Sequence, residues 1–420
     1  MDHRRLDWFS LLALALVPVA AVVLGAGLWV TLRGGEARGG SLPTLSTSFH
    51  PPSPYDLGGL ERTKPFRCGR TDTACTLAYL VGVTRTYGPR AALGLMQRFQ
   101  QQHRVSLVVN DHALAHVVGR ETARDYGSNF RSFNLCPITF NYGCQHGFFE
   151  YVLGRTDTPR QAAISICQSI GSDRMLTAGF SCYHGVGHGV MMAEAYNLPA
   201  ALDVCNTLPK PKGQDGCWQG VFMENVNAGM QGRARPGVFS RRDPLAPCDR
   251  VADRYRHECF INQAGYLMHV SSLEIGRATR DCLAAPGRYK SVCMQSIGLM
   301  VTNPVWQAAL STEAGKRPFA VVAWDLCRRF PSAYRRDCVI AGVDNLANFD
   351  ELDVRRSSAF CAVVAAQLAS ACAREIGVDL RARTVDPTRV RRACRRVPEA
   401  RRAECLAGAG LPAKTGARPR

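Results

Sequence analysis

Three pairs of side chains that can bind metal ions lie between residues 112 and 188, and the members of each pair are four residues apart. They are His112 with His116, His146 with Glu150, and His184 with His188. Residues four apart lie on one face of a helix, so each pair presents two ligands side by side. Neutral imidazole binds copper, iron and zinc, and a carboxylate ligand increases the number of metal ions that the site could bind. The spacing therefore predicts a site for one metal ion, or for two, built from these six residues.

Two of these pairs follow a cysteine in a phrase that occurs three times. It reads CQHGFFEYV from Cys144, CYHGVGHGV from Cys182 and CWQGVFMEN from Cys217. Histidine or glutamine stands two residues after each cysteine, and glycine stands three residues after it. Such glycines would let neighbouring helices approach closely. Glu224, seven residues after Cys217, is a further candidate ligand or a general base.

The histidines also allow two other interpretations. Buried histidines often only hydrogen-bond a backbone carbonyl, and glycine-rich helix faces often serve packing alone. A metal-free acid–base site is the other alternative. No HExxH, CxxCH or phosphate-binding loop motif accompanies the histidines. The sequence therefore indicates no substrate, and it does not separate hydrolysis by metal-bound water from oxidoreductase chemistry.

The eighteen cysteines form nine neighbouring pairs, and the last five pairs are each spaced by eleven residues. An even count with recurring spacing predicts a disulfide framework, which persists only outside the reducing cytosol. Structural zinc fits poorly, because the C-x2-C spacing is absent. The pairs are 68/75, 136/144, 167/182, 205/217, 248/259, 282/293, 327/338, 361/372 and 394/405.

The segments between paired cysteines predict helical hairpins. CLAAPGRYKSVC, CRRFPSAYRRDC and CRRVPEARRAEC each place a proline four residues after the first cysteine, and proline stops one helix or begins the next. The first cysteine should end one helix, and the second should lie about two turns into the next, so that one disulfide staples both. From Cys136 onward the first cysteines recur every 31 to 45 residues, the period of helical-hairpin solenoids.

These patterns predict an all-α protein, with an N-terminal transmembrane helix followed by a disulfide-stapled αα-hairpin repeat solenoid. The layout resembles that of the cysteine-rich tetratricopeptide-like repeat proteins, whose helical hairpins are each closed by a disulfide. The resemblance covers residues 61–405 in layout, and it implies a fold and no activity.

The N-terminal segment predicts a membrane anchor, because residues 8–32 carry no charge over 25 residues and a bilayer core is about 30 Å thick. A cleaved signal peptide is the alternative. The predicted organisation is an anchor at 1–32, a Gly-, Ser- and Pro-rich flexible linker at 33–60, a helical-repeat domain at 61–405 and a disordered basic tail at 406–420. Within the repeat domain, residues 61–247 carry the paired histidines, and 248–405 are plain repeats.

The chain is strongly basic, with a formal net charge of +18. Residues 381–420 hold twelve Lys and Arg against three acidic residues, which is half of that excess. Such a region is either a solvated basic face or a surface attracted to anionic lipid or envelope polymer. Nucleic acid is not an expected partner, because the disulfides place the domain outside the cytoplasm.

We therefore expect a single-pass membrane protein with its N-terminus in the cytoplasm and its main domain periplasmic or extracellular. Its expected function is binding of a copper, iron or zinc ion by the His/Glu cluster, and it could be a metalloenzyme, either an oxidoreductase or a hydrolase. The alternative is a non-enzymatic repeat scaffold that binds a protein or peptide partner at the cell envelope.

The topology can be tested with reporter enzymes fused after residue 420. We expect activity from a reporter that matures only in an oxidising compartment, because the paired cysteines require one. A matched fusion to a reporter that works only in the cytoplasm is the control and should be inactive. Activity of the cytoplasmic reporter alone would contradict the topology.

Overall fold

A computed structural model describes residues 56–106, 111–169, 178–210, 212–350 and 352–412. Within these ranges all regular secondary structure is helical, and no β-strand is present. The predicted anchor at 8–32 lies outside the described residues, as does the linker up to residue 55. No helix in the described ranges combines the length and the apolar character needed to cross a bilayer.

The described residues form twenty-one α-helices and two short 3₁₀ turns, Ser332–Tyr334 and Glu399–Arg401. The α-helices are α1 Leu57–Thr63, α2 Thr73–Tyr87, α3 Pro89–Gln101, α4 Asp111–Tyr126, α5 Phe130–Phe133, α6 Gly143–Leu153, α7 Pro159–Cys167, α8 Ala178–Ala193, α9 Leu198–Asn206, α10 Lys212–Met230, α11 Asp253–Asn262, α12 Ala264–Val270, α13 Ile275–Cys282, α14 Tyr289–Val301, α15 Pro304–Leu310, α16 Phe319–Cys327, α17 Arg335–Asp350, α18 Arg355–Val363, α19 Ala366–Arg383, α20 Pro387–Cys394 and α21 Arg402–Gly408.

The helices stack as a solenoid. One helix of each hairpin packs against its counterpart in the next hairpin, so that a continuous row, here called the spine, runs through the protein. The spine consists of α2, α4, α6, α8, α10, α11, α14, α17, α19 and α21. Its apolar side chains form one core that continues from Ala123 to Ala409, and a second core lies under the N-terminal helices. This arrangement confirms the helical repeats predicted from the cysteine spacing.

All eighteen cysteines form the nine predicted bridges, with Cα–Cα distances of 5.3–5.8 Å. In four hairpins the first cysteine ends its helix as predicted, namely Cys167, Cys282, Cys327 and Cys394. Cys205 and Cys361 lie just before their helix ends, and Cys68, Cys136 and Cys248 lie outside helices. The second cysteine lies within the first two turns of the spine helix; Cys293, for example, is the fifth residue of α14. The predicted depth of two turns is therefore slightly too large. In the chain-entropy model each short loop contributes on the order of 2–3 kcal/mol.

Part of the basic charge has a structural role at the hairpin tips. Arg256 donates from Nε to the carbonyl oxygen of Val251 at 3.2 Å, and Arg402 donates in the same way to Val397 at 3.2 Å. Each arginine lies three residues before the second cysteine of its hairpin. These hydrogen bonds give partners to backbone carbonyls in the turns between paired cysteines.

The ends of the repeat domain extend beyond the predicted bounds. Helix α1 begins inside the predicted linker, because the carboxylate of Asp56 accepts a hydrogen bond from the Gly59 N–H at 2.8 Å and caps the helix. Helix α21 ends at Gly408, inside the predicted tail. Leu411 then donates from its backbone N–H to Leu406 and packs on the core. Residues 413–420 lie outside the described residues.

Glycines allow the spine helices to approach one another. A Cβ built on Gly187 of α8 would overlap the carbonyl oxygen of Cys217 on α10, and a Cβ on Gly220 of α10 would overlap that of His184. On the opposite face of α8, a Cβ on Gly189 would lie 2.6 Å from the carbonyl oxygen of Phe149 on α6. Glycines therefore bring α8 close to both of its neighbours.

The close contact at Gly187 can be tested by adding one methyl group. Gly187→Ala should lower stability by about 1–3 kcal/mol, because the helices must move apart. Gly179→Ala in the same helix is the matched control. No atom lies within 4 Å of its Cβ position, and alanine favours a helix by about 1 kcal/mol over glycine. Thermal unfolding followed by circular dichroism measures both variants, and equal effects would contradict the close contact.

Candidate metal centre

Four consecutive spine helices bring the seven candidate residues into one cluster. Helix α4 carries His112 and His116, α6 carries His146 and Glu150, α8 carries His184 and His188, and α10 carries Glu224. Helix α4 contains no cysteine, so the hairpin pattern gave no indication that it stands beside α6. The cluster is thus assembled from helices whose candidate residues are far apart in the sequence.

Glycines set the distance between the helices that carry the histidines. A Cβ on Gly147, the residue after His146, would overlap the carbonyl oxygen of His116. A Cβ on Gly143 would lie 2.8 Å from the carbonyl oxygen of His112. Because these helices meet backbone to backbone, their imidazoles lie close enough to contact one another.

Within each histidine pair the two Nε2 atoms face each other. The distance between the Nε2 atoms is 3.0 Å for His112 and His116 and 3.2 Å for His184 and His188. His184 and His188 are buried, and His112 and His116 are half-buried. The cluster is thus more exposed to solvent at α4 than at α8.

The other ring nitrogen of each of these four histidines contacts an oxygen acceptor. The Nδ1 contacts are His112 with the carbonyl oxygen of Phe140 at 2.8 Å, His116 with Glu150 Oε1 at 2.5 Å, His184 with Gln219 Oε1 at 2.8 Å and His188 with Glu224 Oε2 at 3.2 Å. These acceptors assign the proton to Nδ1, which leaves each neutral ring with a lone pair on Nε2. Metal-binding histidines are commonly oriented in this way.

Two lone pairs that face each other at 3.0–3.2 Å repel unless a cation stands between them. That cation is either a shared proton or a metal ion. Metal–nitrogen distances of about 2.0–2.1 Å at angles near 90–110° place two ligand nitrogens roughly 2.9–3.4 Å apart. The separations within both pairs therefore match those of two ligands on one ion.

His146 occupies the centre of the cluster. Its ring centroid is 5.3 Å from those of His112 and His116, 4.8 Å from that of His184 and 5.0 Å from that of His188. The residue is 3% exposed, and its Nδ1 has no hydrogen-bond partner. An unpaired buried polar group costs about 1–3 kcal/mol. A bound metal ion would give this nitrogen the partner it lacks.

The ligand atoms form three overlapping groups, within each of which all atoms lie within 4.8 Å of one another. The groups are His112, His116 and His146; His146, His184 and His188; and Glu150, His188 and Glu224. His146 therefore belongs to both histidine groups. The two carboxylates form the third group with His188, and Glu150 also contacts His116 of the first group.

Burial keeps several of the imidazoles neutral. Burial, and next the charge of nearby His116, lower the pKa of His112 to about 3. Burial also holds the pKa values of His146 and His184 well below the ordinary value, with neighbouring histidines acting in the same direction. A neutral imidazole is the form that binds metals, so these three rings are ready to act as ligands at neutral pH.

Arginines lie beside both carboxylates of the cluster. Burial raises the pKa of Glu150, but His116 and Arg120 oppose this effect, and together they hold its pKa well below the ordinary range. Arg120 contacts Glu150 Oε2. Arg233 lies 4.0 Å from Glu224 Oε1. The Glu150 carboxylate is therefore ionised, and it accepts the hydrogen bond from His116.

The sequence did not reveal several residues that support the cluster. Gln219 was visible only as the glutamine that replaces histidine in the third copy of the phrase, and its contact with His184 was not expected. Tyr196 has a positive φ of 58° and accepts a hydrogen bond from Arg233 at 2.7 Å. Burial, and next the Glu224 carboxylate, raise the pKa of Tyr196 to about 12. No short motif marks this loop.

Comparison with known proteins gives no match to a family model, to a curated protein or to a solved structure. The resemblance to the cysteine-rich repeat proteins therefore stays one of layout. All eighteen cysteines are in disulfides, so the candidate ligands of this centre are histidines and carboxylates.

The lowered histidine pKa values predict acid sensitivity of the metal-free protein. An unfolded histidine has a pKa near 6.5 and His112 has one of about 3, so between these values the unfolded chain binds more protons. Stability should fall as the pH drops below about 6.5, by at most about 1.4 kcal/mol per pH unit for each such group. Thermal unfolding between pH 7.5 and 5 measures this dependence.

A shallower dependence is expected for His112→Asn, because one titrating group is removed. His103→Asn is the matched control, since this histidine is exposed and lies at a positive φ of 57° that asparagine adopts readily, and it should keep the wild-type slope. A wild-type unfolding midpoint that does not change between pH 7.5 and 5 would contradict the prediction.

Proposed function

We propose that this protein binds a transition-metal ion through its buried histidine cluster, in an oxidising periplasmic or extracellular compartment. The nine disulfides support the compartment. The observation that carries metal binding is the unpaired, buried Nδ1 of His146 between two histidine pairs whose Nε2 atoms face each other. A cluster built only for packing would place acceptors or apolar groups at these positions.

The proposed ligands are His112, His116, His146, His184 and His188. Glu150 and Glu224 accept hydrogen bonds from His116 and His188, so in this proposal they orient ligands. Nitrogen donors without a thiolate suit copper, zinc and iron. Carboxylates that accept from ligand histidines make the imidazoles better donors and fix their direction.

We further propose that the centre is catalytic rather than purely structural. An ion bound by three of these histidines would keep one coordination position open, as in catalytic zinc sites, and the half-buried His112 and His116 lie at the more exposed side. An ion held in this way would supply either an activated water for hydrolysis or redox chemistry. Glu224 acts as a positioning residue, since its Oε2 contacts the Nδ1 atom of His188.

The proposed location is at the cell envelope, with residues 8–32 as the membrane anchor and the basic face toward anionic lipid or polymer. A scaffold function is the second candidate, and a cavity of about 260 Å³ supports it. Its lining includes Arg235, Phe239, Tyr266 and His269. Such basic and aromatic groups suit an acidic peptide, and capture of one by metal-free protein would favour this candidate.

Elemental analysis of the full-length protein, purified with its disulfides intact, tests metal binding. We expect copper, zinc or iron at stoichiometric level, and reduced metal in His184→Ala and His188→Ala, because each variant removes one ligand. The exposed His257→Ala is the control and should keep the wild-type content. Unfolding midpoints of the same samples show whether the variants remain folded.

One combination of results would contradict metal binding. Wild-type protein that contains no metal after incubation with each of the three ions, together with loss of stability in both histidine variants, would show that the cluster serves packing alone.

A further inference from the structure

We propose that the cluster holds two metal ions, with His146 as a shared ligand that binds one ion through each of its ring nitrogens. This inference rests on the proposed metal-binding function. It assigns His112 and His116 to the first ion and His184 and His188 to the second.

The two histidine pairs are equivalent halves of the site. Helices α4 and α8, which carry the pairs, both pack on α6, which carries His146. In each pair the Nε2 atoms face each other, and the second histidine contacts a glutamate through Nδ1: His116 contacts Glu150, and His188 contacts Glu224. Two similar half-sites that share one imidazole are better suited to two ions than to one, and the rings of His116 and His188, one from each half-site, are also neighbours with centroids 5.4 Å apart.

The ligand atoms of the five histidines form two groups that have His146 in common. Each pair forms a group of ligand atoms within 4.8 Å of one another, and His146 completes both groups. Its ring lies at nearly the same distance from all four of the other imidazoles, between 4.8 and 5.3 Å. His146 alone among these five histidines has an Nδ1 atom without a hydrogen-bond partner. The Nδ1 atom of His146 is therefore available for one ion, and we assign its Nε2 atom to the other.

Binding of two ions by one imidazole needs no further reactant, because the only species released is one proton. A neutral ring gives the lone pair of one nitrogen to the first ion. The second ion takes the electron pair of the remaining N–H bond, and that proton leaves to solvent. The resulting imidazolate carries one negative charge between two cations. The carboxylates of Glu150 and Glu224 offset more of the buried positive charge, as buried ions require.

A second ion could instead use the third group, formed by Glu150, His188 and Glu224. In that arrangement Glu224, whose Oε2 atom contacts the Nδ1 atom of His188, would bind the ion instead of orienting that ring. The arrangement would also leave the Nδ1 atom of His146 without a partner. The shared position at His146 uses the nitrogens that face inward and keeps the hydrogen bonds that orient the other rings.

Copper titration of the full-length, metal-free protein tests the shared ligand. With intact disulfides we expect the wild type to bind two Cu(II) ions per chain. Electron paramagnetic resonance should detect much less Cu(II) than the protein binds, because two Cu(II) spins joined by one imidazolate couple antiferromagnetically. His146→Ala should bind less copper, or all of the Cu(II) that it binds should be detected by electron paramagnetic resonance. The exposed His257→Ala should behave as the wild type does.

Other results would distinguish failure of the shared ligand from failure of metal binding itself. One copper ion per chain with full signal intensity, or two with full intensity, would overturn the shared ligand and leave metal binding intact. No binding of copper, zinc or iron would overturn both. His146→Gln is the second variant if His146→Ala does not fold, and if neither variant folds, the copper count and signal of the wild type decide.

Discussion

The close approach of neighbouring spine helices at glycine residues is the constraint on which the rest of the structure depends. Gly147 meets the backbone of α4 beside His116, and Gly187 meets the backbone of α10. Any side chain at these positions would separate the helices, and the imidazoles would then no longer contact one another. The glycines in the phrase CYHGVGHGV therefore serve packing, and the same packing determines the distances within the histidine cluster.

Burial of the histidine cluster is energetically unfavourable unless a cation binds there. Neutral imidazoles with facing lone pairs, and the unpaired Nδ1 of His146, oppose folding in a part of the protein that is otherwise well packed. Local conflicts of this kind are typical of functional sites. The disulfides supply stability that is independent of the cluster, because each closes its own hairpin and constrains the unfolded chain. The solenoid can therefore accommodate a strained site in its N-terminal half.

Much of the fold could be predicted from the sequence, because paired cysteines and the prolines between them report on local hairpins. The histidine spacing likewise identified the side chains that meet. What could not be predicted depends on contacts between distant segments. The position of α4 beside α6 has no cysteine to mark it, the acceptor for His112 is a backbone carbonyl, and Arg120 gives no signal beyond its place one turn after His116.

Anomalous X-ray diffraction from crystals of the purified protein, recorded at the copper, zinc and iron absorption edges, tests the metal centre most directly. A metal centre requires anomalous density among the five imidazoles, about 2.0–2.1 Å from the Nε2 atoms of a histidine pair and next to His146. Absence of anomalous density at all three edges in metal-soaked crystals would show that the histidines bind no metal.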